Sequence, residues 1–534
     1  MKIGEKTPLI FIVSVYVIAN IFMLFNDGMY WDDWCLSTPE GIASIYTGIG
    51  APFMMPIHAF LLSITTHPAL LYHILTGILE LLVCVLFFKC LLQLGVHKSH
   101  TFLLTLIFSL LPYNEAKMTL SCFMYTIGLF LFLVAVFLFL VNNRKQNLVK
   151  RILSLLLFFC SFGFLPSTLV FSLAFFLLMA VLSLQQKITF NAFYLRQLVH
   201  KLISWSDFVL VPFVFWIFRA LFLAPTGIYA AENYRGFSVS SVLLTPIKLI
   251  ESFIQNFIGL GITASPLITN YSYVLLFVGV FMLVFLFSRK YKIEYTSDNK
   301  PLLFIGLYLF IAGVFAYLMV GLLPLFDSYN SRHQILLRFG STFLIFYLIN
   351  LISSDILKKL IVSTILALFI IFTINYQLQF QKSWFKQMAL EKAFKQEKLL
   401  SEGVNFLVVD NTADYNEFSY KEPYRFYCYT GILYKAFGTQ TRFAIDSKEL
   451  NLINHSNSGN LINSKFLTKD CKNITSFSYM VIINKGNVLL SDMKSSKLLY
   501  LYYFNKEKFD KLLTATLVVK TIPYTIENKR IWNL

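Results

Sequence analysis

Apolar runs of about 17–25 residues recur along this chain, and that is the length needed to cross the hydrocarbon core of a bilayer. Candidate spans lie near residues 9–25, 69–93, 101–112, 121–141, 152–164, 168–184, 207–223, 273–288, 302–323, 339–353 and 360–376. The third, fifth and sixth are short or broken, around Pro112 and Pro166. The first run is flanked by Lys2 and Lys6 and is followed by no small-residue cleavage site, so it reads as a retained helix. The chain is 57% hydrophobic with a mean hydropathy of +0.66, above the roughly 45–50% of soluble domains. A polytopic helical membrane protein of about eleven spans is expected, and an odd number places the C-terminal region across the membrane from the N-terminus.

The net charge of +17 would suit a nucleic-acid binder, but its distribution argues otherwise. With the N-terminus inside, the inner tail and loops carry sixteen Lys/Arg, among them Arg144, Lys145, Lys150, Arg151, Lys187, Arg196, Lys201, Arg289, Lys290, Lys292, Lys358 and Lys359. The outer loops carry five: Lys117, Arg235, Lys248, Arg332 and Arg338. That asymmetry is the positive-inside pattern of membrane topology, and no nucleic-acid partner is expected. The seven cysteines show no CxxC spacing, and a Cys428–Cys471 disulfide is one open pairing.

Two outer loops are long, 27–67 and 225–272. In the second, Leu243, Ile247, Ile250, Phe253, Ile254 and Phe257 recur at helical spacing and predict an interfacial amphipathic helix. Residues 1–376 form the membrane part. After 376 the character changes: residues 382–400 are helix-forming and charged, and strand-like runs follow at Val404–Val409, Tyr479–Asn484 and Thr516–Thr521. Residues 377–534 therefore read as a soluble, mixed α/β domain on the outer face.

Three short constellations carry the candidate chemistry. Asp27-Gly28-Met29-Tyr30-Trp31-Asp32-Asp33-Trp34 follows the first span. Adjacent carboxylates beside lipid are costly and usually mark function, and Trp31 and Trp34 suit a membrane boundary. Asp32 or Asp33 could deprotonate a hydroxyl; the plainer alternative is a helix cap. Adjacent side chains on an extended turn point apart, so one carboxylate faces the cavity and the other braces a neighbouring loop. Pro112-Tyr113-Asn114-Glu115-Ala116-Lys117 lies in the next outer loop, where Glu115 either acts on a ligand or pairs with Lys117. Asp327-Ser328-Tyr329-Asn330-Ser331-Arg332-His333 lies in a late outer loop. Arg332 offers a planar fork for phosphate and His333 a donor or proton carrier; the alternative is an Arg332–Asp327 anchor. Arg235, Arg219 and Arg338 are reserve cations on the same side. Glu80, within the second span, needs a polar partner from another helix. His58, His67 and His73 lack the i, i+4 spacing of a helical metal pair.

In this order, and all on the outer face, these constellations resemble the polytopic GT-C glycosyltransferases. Tyr30-Trp31-Asp32-Asp33-Trp34 matches the acidic motif of that class after the first span. Pro112-Tyr113-Asn114-Glu115-Ala116 is similar to its second-loop pattern, although the membrane O-mannosyltransferases have histidine and one extra residue there. Ser331-Arg332-His333 fits the late loop that binds donor phosphate. The resemblance implies an inverting transferase using a polyprenyl-phosphate sugar, with Asp32 or Asp33 as base. Arg332, His333 and Arg235 would bind the donor phosphate, and Glu115, Trp31 and Trp34 would orient acceptor or loop. It implies a glycan or lipid acceptor at the outer face of a bacterial inner membrane. No metal is required, although a divalent cation between Asp33 and Glu115 is left open. Peptide N-glycosylation is not expected, since no Trp-Trp-Asp-type motif follows the last span. The rivals are a lipid or saccharide transporter using Glu80 and Arg219, an O-antigen polymerase or ligase, and a non-catalytic assembly factor.

Overall fold

A backbone inside lipid must satisfy its own polar groups, and a helix does so within one segment. Helices accordingly dominate the computed structural model, which describes residues 6–184, 192–227, 229–230, 244–255, 271–290, 300–318, 322–324, 328–417, 423–439, 441–450 and 477–525. Each of the eleven apolar runs falls on helix. Four helices are long and apolar enough to cross a membrane: Pro68–Gln93, Phe123–Asn143, Lys300–Leu318 and Asp355–Gln396. A bent pair, Ala192–Ser204 and Ser206–Phe222, makes a fifth if taken as one span. The other apolar helices are shorter, among them Pro8–Ala19, Ser167–Ser183, Tyr271–Phe287 and Leu337–Asn350. The architecture is that of a multi-pass helical membrane protein, with four or five full-length spans among the described residues where eleven were expected.

Close helix packing inside the bundle uses small residues, since lipid offers no hydrophobic drive for association. Helix Leu337–Asn350 lies so near Lys300–Leu318 that a Cβ at Gly340 would stand 2.2 Å from the Phe310 amide nitrogen. Two cations and a carboxylate from separate segments meet within the bundle. Arg338 reaches Glu80 at 2.7 Å and the Phe108 carbonyl at 2.7 Å. Lys117 donates to Asn20 at 2.7 Å. Arg338 is therefore a buried helix residue committed to Glu80, not a loop cation held in reserve. Its position at the second residue of a helix drew it inside.

The final helix does not stop at residue 376. It runs unbroken from Asp355 to Gln396, about 60 Å at 1.5 Å per residue, because Gln377, Gln379, Gln381 and Lys382 carry no helix breaker past the apolar stretch. The C-terminal region packs against its far half. There a four-stranded sheet has the order β2-β1-β3-β4, with β1 (Asn405–Asp410), β2 (Phe443–Asp446), β3 (Tyr479–Lys485) and β4 (Leu517–Pro523). β1 runs parallel to both β2 and β3, and β4 is antiparallel to β3. Three of these strands coincide with the expected ones; β2, only four residues long, was not expected. Helix Thr245–Ile254 coincides with part of the amphipathic segment and exposes Ile247, Ile250, Phe253 and Ile254. Arg235, Asp327 and Cys471 lie outside the described residues, so the expectations placed on them stand apart from the structure.

Candidate functional site

The first loop is zipped along the long helix by side-chain amides. Gln377 accepts from the Met23 amide at 3.1 Å, and its own amide donates to the Ala19 carbonyl at 3.3 Å. Asn26 donates to Gln381 at 3.4 Å. Gln387 accepts from the Met29 amide at 3.3 Å and donates to the Met29 carbonyl at 2.7 Å. Tyr30 donates to the Phe380 carbonyl at 2.7 Å. The bonds from Gln377 and Gln387 answer backbone groups left open where the first helix ends. The glutamine spacing at 377 and 381, directly after an apolar span, is the signal in the sequence that marks this contact.

After the zip the chain turns sharply. Trp31 sits at φ 50°, a left-handed conformation that costs a bulky residue about 1–2 kcal/mol and persists only where its surroundings enforce it. Its ring packs edge-on to Tyr329 (4.8 Å) and Phe380 (5.7 Å). The next residues form a 3₁₀ helix, Trp31–Ser37, so Asp32 and Asp33 diverge on a helical turn where an extended one was expected.

Their environments differ sharply. Asp33 is fully buried. One oxygen accepts from the Tyr30 amide at 3.0 Å and the other from the Ser121 amide at 2.9 Å. It ties the first loop to the second. Burial pushes its carboxyl up to about 7 despite these donors. That value would suit a general base, and the two amide donors also make Asp33 a brace between the loops. Among the described residues no group of three or more His, Cys, Asp or Glu is arranged to hold a metal ion.

Asp32 is only partly buried. Its carboxylate accepts from the Tyr329 hydroxyl at 3.2 Å, and the Arg332 guanidinium lies 3.8 Å from the centre of the same Tyr329 ring. Arg332 also donates to the Tyr329 carbonyl at 2.9 Å. One side chain thus joins the acid of the first loop to the cation of the late loop. The late loop is itself a 3₁₀ helix, Ser328–Gln334, in which residues three apart eclipse. Tyr329 and Arg332 share one face. Ser331 and Gln334 share another, and Ser331 accepts from the Ala116 amide of the second loop at 3.0 Å. His333 sits against Tyr317, ring centres 5.3 Å apart. Burial first, and then Arg332, pull His333 down to about 3. It is a neutral ring near pH 7, so its expected part as a proton carrier gives way to that of a hydrogen-bonding group.

The remaining expected residues divide. Glu115 opens a short 3₁₀ turn, Glu115–Met118, facing Tyr376 of the long helix. Lys117 turns to Asn20, so the Glu115–Lys117 pairing gives way to a contact with the bundle. Arg219 stands on helix Ser206–Phe222, near Tyr125, which also feels Arg332. His58 accepts from the Tyr72 hydroxyl and meets the Leu36 carbonyl at 3.2 Å, a packing role. Trp34 packs onto the C-terminal region: a Cβ at Gly431 would stand 2.4 Å from its ring. That docking brings helix Phe426–Phe437 over the site, with Tyr427 in the field of Asp32. Sequence reasoning gave Tyr329 and Tyr427 no role, because an aromatic among aromatics carries no mark of its own. Beside Arg332, Nδ1 of His333 and both amide atoms of Gln334 are buried without a hydrogen-bond partner among the described residues, polar groups suited to a ligand.

Compared with family models, curated proteins and solved structures, the chain matches none.

Proposed function

We propose that this chain is an inverting glycosyltransferase of the outer face of a bacterial inner membrane. It moves a sugar from a polyprenyl-phosphate donor to a cell-surface glycan or lipid acceptor. The observation that carries this reading is the meeting of three loops far apart in sequence around Tyr329, with Asp32 at its hydroxyl and Arg332 on its ring. A carboxylate and a guanidinium held at fixed separation are what displacement at an anomeric carbon needs.

In this reading Asp32 takes the proton from the acceptor hydroxyl. The acceptor oxygen attacks the anomeric carbon from the face opposite the phosphate. The bond from that carbon to the phosphate oxygen breaks, and its electron pair leaves with the lipid phosphate. Arg332 holds the growing charge with its planar fork, a kind of stabilisation worth about 3–4 kcal/mol when one donor is removed elsewhere. Neutral His333 and Gln334 add hydrogen bonds to phosphate or sugar. Asp33 and Ser331 hold the loops in register, and Glu115 orients the acceptor. Tyr427 forms the wall facing the acceptor. Trp31 fixes the direction of Asp32 through its constrained backbone.

The test is transfer from a labelled polyprenyl-phosphate sugar in proteoliposomes. Asp32→Asn should lose about 10²–10⁴ of the rate with unchanged thermal unfolding. Full activity in that variant overturns the reading.

A transporter is the second reading, supported by the Glu80–Arg338 pair inside the bundle. Flux that survives Asp32→Asn and is abolished by Glu80→Gln would favour it.

A further inference from the structure

The end of the bundle remote from these loops holds a cavity of about 420 Å³. It lies between the turn joining Phe123–Lys145 to Leu148–Phe164 and the bent pair Ala192–Ser204 and Ser206–Phe222. Helix Phe123–Lys145 starts one residue after Cys122, which lies in the field of Arg332. At 1.5 Å per residue, Asn142 is therefore some 30 Å from the candidate site.

The cavity is lined mostly by polar side chains, Asn142, Asn143, Gln146, Asn147, Arg151 and Lys201 among them, with Leu148 and Trp205 as its apolar part. Its charge is cationic. Arg151 is matched by Asp207, at 2.6 and 2.7 Å, whereas Lys201 lies 4.7 Å from the centre of the Trp205 ring. The turn is fixed by Gln146 in the left-handed region, φ 47°, and the amino end of the 17-residue helix Leu148–Phe164 opens beside it, adding a positive dipole end. Asn142 is 5% exposed, and its Oδ1 has no hydrogen-bond partner among the described residues. A buried carbonyl oxygen left open in a cationic cavity calls for a ligand that carries both negative charge and a hydroxyl. The flanks are apolar and exposed: Leu148, Val149, Ile152, Val199 and Ile203. Trp205 closes the inner wall, buried against Phe139.

We propose that this cavity binds the headgroup of an anionic glycerophospholipid that carries a free hydroxyl, as phosphatidylglycerol does. Lys201 meets the phosphodiester, Asn142 accepts the hydroxyl, and the acyl chains run along the apolar flanks. Basic pockets between helices at a membrane surface recognise acidic lipids in this manner. The proposal does not depend on the transferase reading, because it concerns the opposite end of the molecule.

The experiment uses the full chain in neutral detergent, with thermal unfolding and native mass spectrometry as readouts. Phosphatidylglycerol should raise the unfolding temperature and stay bound, and phosphatidylcholine should do neither. Lys201→Gln, at a partly exposed position that tolerates the change, should remove most of the shift. Asn142→Leu should abolish the preference for phosphatidylglycerol over phosphatidic acid, which lacks the hydroxyl. Lys89→Gln, an exposed change outside the cavity, should leave the shift intact. An equal shift with phosphatidylcholine, or a full shift in Lys201→Gln, overturns the proposal. An equal shift with soluble glycerol 3-phosphate assigns the cavity to a soluble phosphate ester and overturns the lipid.

Discussion

The interior of this molecule and its candidate site use opposite charges in different ways. In the interior they are closed on each other. Glu80 and Arg338 meet at 2.7 Å, with the guanidinium also bonded to a carbonyl. Lys386 and Asp410 meet at 2.7 Å, and the pair is completed by the Thr412 carbonyl, Asn416, the Thr412 hydroxyl and Tyr429. At the site, Asp32 and Arg332 are arranged around one tyrosine, the acid at its hydroxyl and the cation on its face. A closed buried pair satisfies itself and can be exchanged for apolar packing at little cost. At the site the two charges are joined through a tyrosine instead.

Breaking a closed pair should give the largest effect. Arg338→Met, which strands Glu80, is expected to cost about 3–5 kcal/mol in unfolding free energy, read by thermal or denaturant unfolding in detergent. Arg338→Met with Glu80→Leu should recover most of that loss. If the single and double variants are equally unstable, the pair is more than a self-satisfying contact. Arg332→Gln should behave in reverse. It should leave unfolding nearly unchanged and lower transfer by about 10²–10³, measured with labelled donor. A large loss of stability there would place Arg332 among the structural pairs.

A smaller effect is expected where the C-terminal region docks. Gly431→Ala drives a methyl against the Trp34 ring, and overpacking of this kind costs about 1–3 kcal/mol. It should also lower transfer, since helix Phe426–Phe437 covers the site; unchanged turnover would separate docking from catalysis. Another effect concerns pH. Asp33 is lifted to about 7, from about 3.9 in an unfolded chain. Between those values the folded protein holds a proton that the unfolded chain has released. The contribution of Asp33 to stability should therefore be fully present below about pH 4, fall as pH rises to about 7 and level off above it. Asp33→Asn should remove that slope from the unfolding profile, while Asp32→Asn should leave it in place.

Much of this was legible in the sequence, for identifiable reasons. Apolar length is a one-dimensional signal, so all eleven runs fall on helix; how many fully cross a bilayer depends on tilt and breaks that length does not record. Strands β1, β3 and β4 carry enough β-branched and aromatic residues to stand out, whereas Phe443–Asp446 is too short to do so. The three constellations were visible because charged residues are rare near lipid. Their arrangement was not. Which aspartate faces inward depends on two amide donors, from Tyr30 and Ser121, that only the fold brings together. Arg338 was misplaced because a helix start and a loop end look alike one residue apart. Tyr329 was hidden in plain composition, since its part comes from what it touches.

The long helix has one further consequence. Asp410 sits at the end of β1, and its ammonium partner, Lys386, belongs to the rod that begins among the apolar spans. Cutting the chain after that helix, at residue 397 for example, would leave a carboxylate sealed inside the sheet with no countercharge. The C-terminal region is therefore not a cassette that can be excised, expressed alone or traded between scaffolds. Whatever lineage carries it must inherit sheet and rod together.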